Sequence, residues 1–155
     1  MRDFWSQVKV EDNFKLFLNN LPGVQVFVKD IQGKFIYVND EARQAFGASS
    51  NSEIIGCTDH DVFGAKLAEN YLKSDRAVID EKRAQTNIVE LVPNRHGQVE
   101  WVVTTKIPLF SHDGELMGIL GTCQNFGLVQ KNLSPYFDIV AGVEYMEKNY
   151  ALSFS

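Results

Sequence analysis

The order of strand-forming and helix-forming stretches predicts an α+β domain built on one five-stranded antiparallel sheet. Three observations carry that expectation. Two β-rich runs stand near the front, VQVFVKD and KFIYVN. Three more stand toward the back, TNIVELV, QVEWVVTTKIPLF and ELMGILGTCQNF, separated by polar turns. Helical periodicity fills the space between the two groups. Strand and helix do not alternate along the whole chain, which excludes a dinucleotide-binding α/β fold.

Taken in order, Phe14, Phe17, Leu18 and Leu21 fall on one helical face, so a helix is expected from Val10 to Leu21, with Asp12 or Asn13 as its cap and Pro22-Gly23 as its end. That apolar face must be covered, either by its own domain or by a second copy of the chain. VQVFVKD and KFIYVN then form a hairpin whose turn chemistry comes from Asp30 and Gly33. Asn39 is placed to accept from free backbone amides at the head of a short helix, with Ala42, Ala45 and Phe46 on its apolar face and Gly47 at its end. Asn51-Ser52-Glu53 starts one further turn, closed by Gly56. Between Gly64 and about Arg83, Leu67, Tyr71, Leu72, Val78 and Ile79 make the stripe of the longest helix. After the strands and Pro135, Ile139, Val143, Met146 and Tyr150 recur at helical spacing, and the Leu-Ser-Phe-Ser ending looks like a chain stopped before another helix. The stretch from Phe35 to Val62 is expected to wrap one side of the sheet and leave a pocket there.

Composition narrows the function. The 155 residues are 45% hydrophobic and 23% charged, enough for one domain with its own core. A formal net charge of -5, without a cluster of Lys and Arg, argues against a nucleic-acid surface within this chain. Cys57 and Cys123 are far apart and form no CxxC, so a disulfide framework is not expected and a reducing cytoplasm is. The N-terminus lacks a signal peptide's apolar run and no stretch approaches a membrane span, which makes the Asn132-Leu133-Ser134 sequon a chance match.

KDIQGKFIYVNDEARQAFG, IIGCTDHDVFG and HGQVEWVVTTKIPLFSHDGELMGILGTCQNF, in that order, resemble successive signatures of a PAS domain. The resemblance runs from about Leu21 to Phe126. It rests on the Asp30, Gly33 and Val38-Asn39 spacing, the Ile-Ile-Gly-x-Thr-Asp-x-Asp run from Ile54 to Asp61, and Lys106-x-Pro108 ahead of the Asp113-Gly114 turn. It implies short helices and one long helix laid across a ligand-sized cavity on the sheet. PAS domains that feed kinases often end in an Asp-x-Thr pair; the aligned triplet here is Asn125-Phe126-Gly127, a departure from that pattern. The tail from Leu133 is similar to the linker and first helix of the DNA-binding region of AraC-type transcription regulators. The organisation expected is therefore an N-terminal helix over residues 1–21, a PAS domain over 22–127, and a linker with a first helix-turn-helix element over 128–155.

Asp59-His60-Asp61 invites a catalytic or metal reading, but adjacent residues project in different directions and no second His or Cys stands at ligand spacing. Thr58 and Asp59 are expected to cap the next turn, with Asp61 tied to a partner. His96 and His112 fall at turn tips. Strand alternation puts Lys106 on one face with Thr104 and Val102, and the resemblance turns that face inward. An inward lysine needs an acid, Asp59, Asp61 or Glu90, or else meets an anionic ligand group. The resemblance also turns Cys123 inward, as a small core residue and not a reactive thiol. The Asn-Cys-Arg-Phe-Leu-Gln motif of flavin-binding photosensory relatives is missing, and the long helix has no histidine for haem, so neither cofactor is expected.

The pocket is then expected to be lined by Phe27, Val38, Ala42, Phe46, Phe63, Leu67, Tyr71, Ile88, Thr104, Lys106 and Cys123, with Asn39, Thr58, Asp59 and Asp61 as structural polar groups. Such a lining suits a small apolar or aromatic metabolite. Two functions stay open: a ligand-sensing, dimerising PAS domain of a bacterial transcription regulator, acting on DNA only through regions beyond Ser155, or a PAS interaction module with a filled core and no ligand. A homodimer is expected through the N-terminal helix, the sheet or both. No nucleophile, base and orienting group can be assembled from these spacings, so an enzyme is not expected.

Overall fold

Residues 8–94 and 96–127 are described by a computed structural model. The chain runs through α1 (Val10–Asn19), β1 (Val24–Asp30), β2 (Phe35–Val38), α2 (Asp40–Ala45), a single 3-10 turn (Asn51–Glu53), α3 (Asp59–Phe63), α4 (Ala65–Glu81), β3 (Gln85–Pro93), β4 (Val99–Phe110) and β5 (Leu116–Asn125). The expected C-terminal helix near Ile139 to Tyr150 and the tail likened to AraC-type regulators lie outside the described residues, as does the start of the N-terminal segment.

The five strands form one sheet in the order β2-β1-β5-β4-β3, with every neighbouring pair antiparallel, as expected for an α+β PAS-like fold. β2 and β3, which flank the helical middle in sequence, lie at opposite edges of the sheet, so that middle must cross the sheet to join them. Asp30 builds the first hairpin: its Oδ1 accepts from the Gln32 and Lys34 amides, and Gly33 adopts φ 80°. A register shift at Val28/Lys29 skips Ile36 on β2, which pairs Phe27 with Val38 and Lys29 with Phe35. That bulge turns Phe35 and Val38, three positions apart, to the same buried side and leaves Ile36 exposed. Beyond the hairpin, the segment before α3 closes the sheet's edge: the Phe35 amide donates to the Cys57 carbonyl, and the Gly56 amide to that of Phe35.

Asn39 joins three elements. Its Oδ1 accepts from Ala42, capping α2 as expected, and also from Val26 on β1; its Nδ2 donates to the carbonyls of Leu18 and Val24. All of its side-chain valences are therefore used in a site with no solvent exposure. Gly121 is required by close approach, because a Cβ there would meet the Phe27 ring at 2.1 Å. The ring can lie across β5 only while that position is bare.

Several local expectations are corrected. Helix α1 begins after Lys9 without a side-chain cap, and Asp12 and Asn13 lie inside it, where Glu11 and Asp12 instead favour the positive helix end. It stops at Asn19, ahead of Pro22-Gly23, because Asn20 takes the carbonyls of Phe17 and Leu16. Of its apolar face only Leu18 is buried, while Phe14 and Phe17 remain 45% and 60% exposed. Helix α4 ends at Glu81, with Lys82 left-handed at φ 51°.

Candidate functional site

Helices α2, α3 and α4 lie over one face of the sheet and leave a cavity of about 410 Å³. Strand alternation supplies its floor. Gln25, Phe27 and Lys29 come from β1, Glu90 and Val92 from β3, Glu100, Val102, Thr104 and Lys106 from β4, and Cys123 from β5. Phe35 of β2, Phe46 at the end of α2, Phe63 of α3 and Tyr71 of α4 form an aromatic wall in which they follow one another at centroid separations of 5.7, 4.8 and 5.0 Å.

Of the residues expected to line a pocket, Phe27, Phe46, Phe63, Leu67, Tyr71, Thr104, Lys106 and Cys123 border this cavity. Val38 and Ala42 do not: both pack into the core, and the helical turn of α2 presents Ala45 and Phe46 instead. Ile88 is also absent from the lining. A bulge between Gln85 and Ile88, with Asn87 at φ 55° donating its amide to Thr105 Oγ1, ends regular pairing there.

At the cavity's inner end four charges are buried together. Lys29 Nζ donates to Asp59 Oδ1 and Oδ2 at 2.7 and 2.5 Å and to Asp75 Oδ2 at 2.7 Å. Lys106 Nζ donates to Asp75 Oδ1 at 2.5 Å and to Ser74 Oγ. The partner expected for Lys106 among Asp59, Asp61 and Glu90 is thus corrected to Asp75, which projects from α4 directly above it. Asp59 is no cap either; it is 1% exposed and held by Lys29. Thr58 does belong to the cap, because its Oγ1 and amide both donate to Asp61 Oδ2 at 2.8 Å. These bonds to Thr58 hold the Asp61 carboxyl below the ordinary aspartate range.

The cluster joins β1, α3, α4 and β4, and lysines balance aspartates within it. Lys29 also lies over the Phe27 and Phe35 rings, 5.3 and 4.8 Å from their centroids. Burial pushes the Asp59 carboxyl above the ordinary range, outweighing the attraction of Lys29 and Lys106, with Asp75 adding to the rise. Short contacts to Lys29 argue for the opposite shift, yet removal of both carboxylate oxygens from water is the larger effect. Burial also pushes the Tyr71 phenol and the Cys123 thiol up to about 12, with Glu90 acting on both in the same direction. Cys123 is therefore a protonated thiol near neutrality and a poor nucleophile. His60 reaches the exposed Glu69 at 3.5 Å across α3 and α4, while His96 borders the cavity mouth.

Lys29 and Asp75 are not among the expected site residues, although both carry a signal in the sequence. In VQVFVKD, Lys29 alternates onto the face of Phe27, and on α4 Asp75 stands within the stripe of Tyr71, Val78 and Ile79. A charge at an inward position needs an opposite charge there. Among the described residues no group of three or more His, Cys, Asp or Glu is arranged to hold a metal ion, and no helix is long and apolar enough to cross a membrane.

A family model described as a PAS fold matches residues 18–127. A diguanylate cyclase of Vibrio cholerae serotype O1 is 30% identical over 108 residues, covering 69% of this chain and 33% of that protein. Among solved structures, VqmA bound to DPO is 25% identical with a TM-score of 0.62, over 74% of this chain and 57% of that one. The Vibrio cholerae VqmA dimer in the absence of target DNA, a structure bearing on the DNA-binding mechanisms of LuxR-type receptors, is 23% identical with a TM-score of 0.63, over 86% and 55%. The chain thus spans about a third of the curated relative and little more than half of these structural neighbours.

Proposed function

The chain belongs to the PAS fold family, and on that premise we propose that it is the ligand-sensing and dimerising part of a transcription regulator. The cavity of about 410 Å³ carries this reading, since a domain acting only as a filled interaction module has no use for such a space. Its aromatic wall suits a small, largely apolar or aromatic metabolite. A VqmA has been solved bound to DPO, which supports a ligand-binding role. No flavin or haem is proposed. The activity in the diguanylate cyclase's name is not carried over, because two thirds of that protein lies outside the match.

Signalling is a population shift. A ligand that fits the cavity better in one position of α4 than in another favours that position by its difference in affinity. The buried charges joining α4 to β1 and β4 couple the helix to the sheet, so occupancy is felt in the strands as well as in α4. Dimerisation through α1, the outer sheet face, or both is supported by the exposure of Phe14, Phe17, Leu91 and Trp101, and by the dimeric neighbour. Output to DNA lies with regions beyond Ser155. The tail's likeness to AraC-type regulators is not carried into the proposal, because the regulator neighbour belongs with LuxR-type receptors.

Native mass spectrometry of the purified chain, together with its absorption spectrum, tests this reading. A dimer carrying a releasable small molecule, with no visible absorption band, is expected. A dimer that remains bare after incubation with an extract of small metabolites would favour the interaction module.

A further inference from the structure

The charges around the cavity are not equally engaged. Lys29 is neutralised by Asp59 and Asp75, and Lys106 by Asp75. Glu100 is held by amides, from Asn94 at 2.7 Å and Asn125 at 3.3 Å. Glu90 borders the same space and has no hydrogen bond or ion pair to any described residue. From β3 it lines the cavity together with Tyr71 and Cys123.

A carboxylate on the wall of a filling cavity loses water when a ligand enters. Unless the ligand brings a donor, that loss is uncompensated. A cationic donor has a second advantage here: Phe63 and Tyr71 border the cavity with Glu90, and aromatic faces attract positive charge. A ligand carboxylate is in the opposite position, since both lysines are already bound to aspartates and Glu90 repels it. Of the two alternatives for Lys106, an acid partner or an anionic ligand group, its pairing with Asp75 favours the first.

We propose that Glu90 selects the ligand: the cavity takes a small aromatic or apolar molecule bearing a protonated amine or comparable N–H donor, which Glu90 accepts, and it rejects carboxylates. This inference rests on the sensory reading of the cavity. Binding of benzylamine, benzyl alcohol and benzoate to the full chain, measured by titration calorimetry, tests it. For the native chain, benzylamine should bind roughly tenfold tighter than benzyl alcohol, the scale of one charge-assisted hydrogen bond, and benzoate should bind weakest. Glu90→Gln, which keeps the side-chain shape, should remove the amine's advantage and leave benzyl alcohol unchanged, with an unaltered Tm showing that the fold is intact. Equal binding of amine and alcohol, tightest binding of benzoate, or an amine preference that survives Glu90→Gln would overturn the role of Glu90 while leaving a ligand-admitting cavity. Failure of all three probes to bind the native chain would overturn both.

Discussion

Asp75 is the residue on which the buried charges depend, because it is the carboxylate that serves both lysines. Asp75→Asn leaves Lys106 with no carboxylate partner and Lys29 with Asp59 alone, and should cost about 3–5 kcal/mol, the usual scale for stranding a buried charge. Lys106→Met removes a charge whose partner keeps Lys29, so it should cost clearly less. Urea unfolding of the two variants compares them, and equal losses would contradict this division of roles. Asp59 gives a pH signature. Its carboxyl is raised in the fold, so its contribution to stability is full below the unfolded value near 3.8 and is lost as pH rises through the higher folded value. On acidification it therefore offsets part of the destabilisation caused by other carboxylates. Asp59→Asn lacks that offset and should lose stability more steeply between neutral pH and about pH 4. Melting curves across that range check the sign, and a shallower fall in the variant would mean that the attraction of Lys29 exceeds the cost of burial.

Among the elements, those specified by local chemistry were legible in the sequence. Strand alternation, the Asp30 and Gly33 turn, and the Asn39 cap each depend on residues within a few positions of one another, and each is formed as expected. What escaped depends on tertiary geometry. Alternation alone does not show that the Ile36 bulge turns Phe35 and Val38 to one side, nor that Asn87 removes Ile88 from the cavity wall. Asn39 was legible only in part, because its cap of α2 is local while its bonds to Val24, Val26 and Leu18 require α1 and β1 to be in place. Asn39→Ala should therefore cost more than an ordinary helix cap, about 3–5 kcal/mol against roughly 1, because buried backbone groups in three elements lose their partner together. Chemical denaturation measures it, and a loss near 1 kcal/mol would reduce Asn39 to a simple cap.

For the whole molecule, the helices hold a cavity on one side of the sheet, while apolar residues remain exposed on α1. If those residues meet a second copy, replacing Phe14 and Phe17 together by Glu should convert a dimer to a monomer, as read by size exclusion with light scattering. A dimer that survives would move the interface to the sheet. The central claim concerns the cavity itself, and native mass spectrometry after incubation with a small-metabolite extract addresses it most directly. The chain should carry a small-molecule adduct that is lost on heating in the gas phase, and Cys123→Phe, which places a ring in the cavity, should fold without it. A native chain that stays bare, or an adduct retained equally by Cys123→Phe, would contradict a ligand site between the helices and the sheet.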